Sequence, residues 1–118
     1  MTTKSDLFED IATALDSWTD VGVDATTNRD SDLQWTEDAA PFLTLQSAIE
    51  TGKVDTEIVR HVLSECLRGF AVSLLTILDG GTALAEKGRL YVVDENGTRI
   101  GEGLHGDFVG HLIDAGRL

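Results

Sequence analysis

The longest apolar pattern in the chain lies in residues 56–78, TEIVRHVLSECLRGFAVSLLTIL. Apolar residues recur there every three or four positions, the spacing that places side chains on one face of an α-helix. The second half, GFAVSLLTIL, is apolar on all sides, and we therefore predict a helix buried at the centre of the fold. The β-branched residues in AVSLLTIL leave an alternative, a buried strand that begins after Gly69, because periodicity alone does not separate the two.

Three further helices are predicted around this segment. The first covers residues 6–18, where apolar residues recur every four positions after the capping box formed by Thr3 and Asp6. The second covers residues 39–51 and the third residues 105–115, each with a row of apolar residues at helical spacing. Together with residues 56–78, these segments make helices the dominant element of the chain.

The pattern changes to a period of two after Gly88, which favours β-structure. The segments RLYVV and TRIG flank DENG, and Asn-Gly between β-type segments is a strong signal for a hairpin turn. We predict a β-hairpin at residues 89–101 that packs on the long helix, since an isolated hairpin is marginal in water. The fold class predicted for residues 1–118 is a single α+β domain in which helices dominate.

Negative charge is concentrated in the first half of the chain. The sequence contains 21 acidic and 9 basic residues, for a formal net charge of −12, and residues 1–57 hold 13 of the acidic and 3 of the basic residues. Within that half, residues 19–38 lose the helical period and are predicted to form a long acidic loop, a feature that is usually functional or disordered. A chain this acidic is not expected to bind nucleic acid or an anionic membrane surface.

The sequence also bears on the compartment. Asp6, Glu9 and Asp10 lie where a signal peptide needs an uninterrupted apolar segment. Cys66 is the single cysteine, which excludes a disulfide framework. We find no run of the roughly 18–20 apolar residues that a membrane span needs. We therefore expect a cytoplasmic protein without a membrane span.

Few residues suggest metal binding or catalysis. His61 and Cys66 are five positions apart and His105 and His111 six apart, and neither spacing suits a zinc site. We predict no metal and no cofactor, and we expect Cys66 to be a small core residue. His105 and Asp107 are the one candidate acid–base pair, although no nucleophile is apparent near them. An enzyme that uses this pair ranks third among the functional hypotheses.

The predicted acidic loop contains Trp35, and Trp18 lies at its border. Tryptophan is enriched at the energetic centres of interfaces, and a negative surround attracts a basic partner. Trp18 is expected on the core face of the first helix, whereas core and interface are equally open for Trp35. The predicted partner-binding residues are Asp20, Asp24, Asp30, Asp32, Trp35, Glu37 and Asp38.

The leading hypothesis is a non-catalytic binding protein that engages a basic protein surface. In size and acidity the chain resembles small bacterial proteins that neutralise basic toxins or nucleases, which implies an inhibitor or immunity protein. The alternative is an acidic housekeeping or assembly domain adapted to high salt, able to form a homodimer through exposed apolar helix faces. Its support is compositional, since the chain has 13 Asp and 13 Thr but 3 Lys residues.

Overall fold

The computed structural model describes residues 2–118, which form four α-helices and one short 3₁₀ helix. The α-helices are α1 (Lys4–Thr27), α2 (Ala40–Gly52), α3 (Thr56–Leu78) and α4 (Leu104–Asp114). The 3₁₀ helix, Ala83–Glu86, lies between α3 and α4. Turns and extended segments make up the remainder of the described chain.

The α+β prediction is wrong. Residues 2–118 contain no β-strand, and the predicted hairpin at residues 89–101 is reduced to one antiparallel bridge between Val93 and Arg99. The chain does reverse at DENG, but the turn is centred on Glu95 and Asn96, because the N–H of Gly97 donates to the carbonyl of Asp94 at 3.1 Å and positive φ occurs at Gly97 and not at Asn96. The N–H of Asp94 donates to the carbonyl of Thr98 at 2.9 Å. The turn residues therefore specify a chain reversal, but no further strand in the described chain extends the ladder, and a two-stranded ladder alone is marginal.

The first helix starts as predicted and ends later. The Thr3 hydroxyl accepts a hydrogen bond from the Asp6 N–H at 3.1 Å, and the Asp6 carboxylate accepts one from the Thr3 N–H at 2.9 Å. These hydrogen bonds, the backbone one first, lower the pKa of Asp6. The capping box is therefore confirmed, although α1 then continues to Thr27 instead of ending at residue 18.

Residues 19–27 belong to α1 and not to the predicted loop. Three threonines in this stretch donate their hydroxyls to helix carbonyls four residues earlier: Thr19 at 2.7 Å, Thr26 at 2.8 Å and Thr27 at 2.6 Å. This bonding satisfies the hydroxyls inside the helix, so the β-branched side chains are accommodated there. The connection between α1 and α2 is thereby shortened to residues 28–39.

The described residues divide into two compact units. We call residues 2–14 and 68–118 the terminal unit, and residues 15–67 the middle unit. Helices α1 and α3 each begin in one unit and end in the other.

The terminal unit has a core of large apolar side chains. The ring of Phe8 on α1 lies 5.5 Å from the ring of Phe108 on α4, measured between centroids. The apolar residues of this unit that are less than 5% exposed are Phe8, Ala12, Leu75, Leu104, Phe108 and Leu112. Since three of these residues lie on α4, this helix contributes half of the core set.

The middle unit buries smaller and more polar side chains. Its buried residues are Thr19, Val23, Ala25, Thr26 and Gln46. The Gln46 side-chain amide on α2 donates to the Ala25 carbonyl of α1 at 2.8 Å, which satisfies a buried polar group on each helix. This buried hydrogen bond therefore connects α1 and α2 in this unit.

Helix α3 has the predicted bounds but not the predicted burial. Among its residues, all of which are described, Leu75 is the one that is buried, whereas Ile58 is 59% and Phe70 is 69% exposed. No strand forms after Gly69. By length and composition alone, Thr56–Glu86 is apolar enough to cross a membrane, contrary to our expectation, with 6% of the apolar window buried. These two criteria do not distinguish a membrane helix from one that packs on another protein.

Candidate partner-binding surface

Three aromatic rings of the middle unit contact one another in series. The ring of Trp35 lies 5.6 Å from that of Trp18 on α1 and 5.6 Å from that of Phe42 on α2, with edge-to-face angles of 72° and 73°. Trp18 is 54% and Trp35 is 49% exposed, so the expectation that Trp18 belongs to the core is wrong. We call these three residues the aromatic cluster. Edge-to-face contact is a favoured arrangement, which gives the exposed rings a defined geometry.

Trp35 is held by turns on both sides. The Asp32 carboxylate accepts a hydrogen bond from the Gln34 N–H at 2.9 Å, and the Asp38 carboxylate accepts one from the Ala40 N–H at 3.0 Å. Both are Asx turns, in which a short side chain replaces a backbone acceptor. The two carboxylates therefore shape the segment that presents Trp35 and also remain solvent-exposed.

Two of the seven predicted partner-binding residues lie on α1 and make bonds within the chain. Asp20 accepts a hydrogen bond from Arg60 Nη1 at 2.5 Å, and this contact raises the pKa of Arg60. Asp24 accepts hydrogen bonds from Asn28 Nδ2 and Ser31 Oγ, both at 2.8 Å, which lower the pKa of Asp24. These two carboxylates join parts of the middle unit to one another.

The other predicted residues lie together in the connection between α1 and α2. Asp30, Asp32, Glu37 and Asp38 are exposed, and the last three lie within three positions of Trp35. We call the aromatic cluster and these four carboxylates the acidic aromatic surface. It combines apolar rings with negative charge, a combination suited to contact with a surface that is both basic and partly apolar.

The predicted acid–base pair is not formed in the terminal unit. Asp107 Oδ2 lies 2.6 Å from Lys4 Nζ, and this ammonium also donates to the Glu102 carbonyl at 2.9 Å. His105 Nδ1 contacts Asp79 Oδ2 at 2.5 Å instead. The two residues therefore have different side-chain partners, Lys4 for Asp107 and Asp79 for His105.

Asp79 is a residue whose role the sequence did not reveal. Its side chain is 8% exposed and accepts hydrogen bonds from the N–H groups of Leu104 at 2.9 Å and His105 at 2.8 Å, in addition to the His105 ring contact. Burial alone raises the pKa of Asp79, but the hydrogen bonds from His105 and Leu104 outweigh it and hold that pKa below its ordinary value. The carboxylate thus fixes the first turn of α4 to the end of α3, near the positive end of the α4 dipole.

The remaining candidates for metal binding are dispersed. His111 Nε2 lies 3.3 Å from Glu9 Oε2, and His61 Nε2 lies 3.9 Å from Glu65 Oε1. Cys66 is exposed and not part of the core, contrary to the prediction. Within residues 2–118 there is no group of three or more His, Cys, Asp or Glu side chains that could hold a metal ion.

No protein-family model, curated protein or solved structure matches this chain.

Proposed function

We propose that this chain is a non-catalytic acidic binding protein whose acidic aromatic surface engages a basic protein surface. The observation that carries the proposal is the mutual contact of Trp18 and Trp35, each about half exposed, next to a series of exposed carboxylates. Exposed tryptophans that are fixed in position can bury a large apolar area on binding at a low entropic cost. A partner that covers them gains this area without ordering the loop first.

The charge of the middle unit supports the same class of partner. Residues 15–67 contain 11 acidic and 3 basic residues. Two of the basic residues are engaged, because Arg29 pairs with Glu50 at 2.7 Å and Arg60 pairs with Asp20 at 2.5 Å. The field around the aromatic cluster is therefore negative, which attracts basic surfaces and repels phosphate.

A protein that binds nucleic acid supplies the required chemistry. Its phosphate-binding face carries clustered Lys and Arg residues, often with apolar or aromatic groups between them. In the proposed complex, exposed carboxylates such as Asp32, Glu37 and Asp38 bind where the partner otherwise binds phosphates. Trp35 packs into an apolar site on the partner. The proposed role is that of an inhibitor or immunity protein acting in the cytoplasm on a nuclease, toxin or similar protein.

The charge component is tested with neutral variants that keep the turn geometry. The triple variant Asp32→Asn, Glu37→Gln, Asp38→Asn removes three charges and retains the side-chain oxygens that accept the Asx-turn hydrogen bonds. The matched control removes three exposed charges from the terminal unit, with the changes Glu86→Gln, Glu102→Gln and Asp114→Asn. Capture from the source lysate at low salt, followed by stepwise KCl elution and mass spectrometry, identifies the bound proteins. We expect basic proteins, released at lower KCl from the middle-unit variant than from the control.

The apolar component is tested with Trp35→Ala. Loss of a central aromatic anchor costs about 2 kcal/mol or more, so affinity for the captured protein should fall roughly thirtyfold in calorimetric titration. Tyr91→Ala is the matched control, because Tyr91 is an aromatic residue of the terminal unit with nearly the same exposure, 48%. We expect it to bind like the wild type.

Two results would contradict the proposal. One is capture that persists unchanged above about 1 M KCl, where the Debye length is only about 3 Å and attraction between exposed charges is lost. The other is equal weakening by the two triple variants, which would indicate a general effect of net charge and not a defined surface.

A further inference from the structure

The rings of the aromatic cluster stand nearly at right angles to one another. Trp18 and Trp35 meet at 72° with their ring centroids 5.6 Å apart, and Trp35 and Phe42 meet at 73° at the same distance. All three residues belong to the middle unit. Two rings at such an angle form the two walls of a corner. Since about half of each tryptophan is exposed, the corner between Trp18 and Trp35 is accessible from solvent.

The shape of this corner suits a planar cation. The face of an aromatic ring carries partial negative charge, and tryptophan attracts cations more strongly than the other aromatic residues do. A guanidinium that stacks on one wall directs its N–H edge at the face of the other, because the two walls are nearly perpendicular. An ammonium gains less there, since it is a compact and strongly hydrated charge. The ring geometry therefore favours arginine over lysine.

The carboxylates beside Trp35 favour the same group. Asp32 and Asp38 each use Oδ1 to accept the hydrogen bond of an Asx turn, which leaves the second oxygen of each exposed carboxylate for another donor. Glu37 lies between them in the chain and is also exposed. A guanidinium has five N–H donors in one plane, so it can stack on a ring while its edge binds a carboxylate.

The arginines of the middle unit do not supply this cation. Residues 15–67 contain two arginines, Arg29 and Arg60, and both pair with carboxylates of the same unit. The terminal unit shows the type of contact that the corner lacks, because the guanidinium carbon of Arg99 lies 3.7 Å from the ring centroid of Tyr91. A guanidinium for the corner is therefore expected from another molecule.

We propose that the corner between Trp18 and Trp35 receives an arginine of the basic partner, stacked on one indole and held at its edge by the neighbouring carboxylates. This inference rests on the proposed function, because it assigns the group that the acidic aromatic surface recognises. Arginine and tryptophan are both enriched among residues that dominate binding energy. In a partner that binds nucleic acid, the arginine is one that otherwise contacts phosphate. The surface of Trp35 outside the corner makes the apolar contact.

The two tryptophans themselves report binding. Trp18 and Trp35 are the only tryptophans of the chain, so its tryptophan fluorescence arises entirely from this corner. The probes are three acetylated tripeptide amides, tri-arginine, tri-lysine and tri-citrulline, titrated into the full chain at low salt. Tri-arginine and tri-lysine carry the same charge, and citrulline is a neutral planar counterpart of arginine. We expect tri-arginine to bind about fivefold more tightly than tri-lysine, and tri-citrulline to leave the fluorescence unchanged.

Variants separate the contribution of the rings from that of charge. Trp18→Leu removes one wall and keeps an apolar side chain, so the preference for tri-arginine should fall to about twofold or less. Trp18→Phe restores a ring and should retain most of the preference. The matched control is Tyr91→Leu, which changes a ring of the terminal unit with 48% exposure and should behave like the wild type. Circular dichroism verifies that each variant retains its helices.

The neutral triple variant Asp32→Asn, Glu37→Gln, Asp38→Asn completes the set. It should weaken the binding of both charged peptides, because the attraction of the surface for cations is reduced. Tri-arginine should remain the tighter ligand, since the two rings are unchanged.

Three results would overturn the inference. They are equal binding of tri-lysine and tri-arginine by the wild type, binding of tri-citrulline as tight as that of tri-arginine, and an undiminished arginine preference in folded Trp18→Leu. Each of these results leaves the proposed function standing if basic proteins are still captured through the acidic aromatic surface. Capture that neither Trp35→Ala nor the neutral triple variant weakens contradicts the proposed function instead, so the two failures are distinguishable.

Discussion

The two units of the molecule stabilise themselves in different ways. The terminal unit buries six apolar residues below 5% exposure, including both rings of the Phe8–Phe108 pair. The middle unit buries no aromatic residue, and three of its five buried residues are polar. Its tryptophans lie at the surface and contact each other there.

This difference separates residues that hold the fold from residues that are available to a partner. Burial of large apolar side chains is the main source of folding free energy, so the terminal unit is expected to supply most of it. The middle unit has 53 of the 118 residues but keeps its large rings in contact with water. Apolar area that a unit does not use for its own stability is free to stabilise a complex.

The largest expected loss of stability comes from a substitution in the core of the terminal unit. Phe108→Ala removes a ring with no solvent exposure and should lower the free energy of unfolding by about 3–5 kcal/mol. Urea titration monitored by circular dichroism measures this loss. Ile113→Ala, on the same helix but 55% exposed, is the control and should change stability far less. Equal losses in the two variants would contradict the core that we describe.

The second largest loss of stability is expected at the junction of α3 and α4, where Asp79 lies. The two carboxylate oxygens of Asp79 accept from the N–H groups of Leu104 and His105, and Asp79→Asn keeps one of these oxygens and removes the charge. We therefore expect the free energy of unfolding to fall by about 1–3 kcal/mol at pH 7. Urea titration of this variant beside Asp114→Asn, which changes an exposed carboxylate at the end of α4, measures the difference. A variant as stable as the control would show that the junction contributes little.

The Asp79→Asn loss should depend on pH in a defined direction. The pKa of Asp79 is lowered in the folded protein, so its carboxylate favours the folded state above the unfolded pKa of about 3.9. This contribution disappears as the pH falls through the lower, folded pKa, where Asp79 becomes neutral like the Asn that replaces it. The stability difference between wild type and variant should therefore shrink as the pH falls below about 4. A difference that grows as the pH falls below about 4 would contradict this assignment.

A smaller effect is expected in the polar interior of the middle unit. Gln46→Ala removes the amide that donates to the buried Ala25 carbonyl, and we expect a loss of about 1–2 kcal/mol. Ser47→Ala changes the exposed neighbour and serves as the control in the same urea titration. If the free energy of unfolding fell as much as in Phe108→Ala, the polar interior of the middle unit would contribute as much to stability as the apolar core of the terminal unit.

The smallest effect on stability should come from Trp35→Ala. The variant loses two edge-to-face contacts at the surface, so thermal and urea unfolding should report a loss of only about 1 kcal/mol. A loss of about 3–5 kcal/mol, typical of a core aromatic, would make Trp35 a structural residue and remove the main support for the acidic aromatic surface.

Local signals in the sequence predicted the helices well. Residues 56–78 form α3 with the predicted bounds, and the Thr3–Asp6 capping box starts α1, because both signals depend on neighbouring residues alone. The extension of α1 through residues 19–27 was missed because Val, Thr and Gly interrupt the apolar period there. Threonine hydroxyls bonded to helix carbonyls compensate for this interruption, and no periodicity reports such bonds.

Features that depend on distant residues were not predictable. Asp79 and His105 are 26 positions apart, and their contact follows from the path of the chain between α3 and α4. The exposure of α3 was missed for a related reason, since an apolar pattern does not say whether its own chain covers it. Trp35 and the exposed carboxylates near it lie together, as predicted for the partner-binding site. Asp20 and Asp24, which were also predicted, accept hydrogen bonds from other residues of the middle unit.

The division into units has a consequence for protein synthesis. The middle unit is one continuous stretch, so all of its residues have been translated once the ribosome has passed residue 67. The terminal unit joins Phe8 to Phe108, and this pairing must wait until α4 has left the exit tunnel. During that interval the nascent chain presents Phe8 and Ala12 without their core. Chaperone contact is therefore expected at the first half of α1, and it should end when α4 arrives.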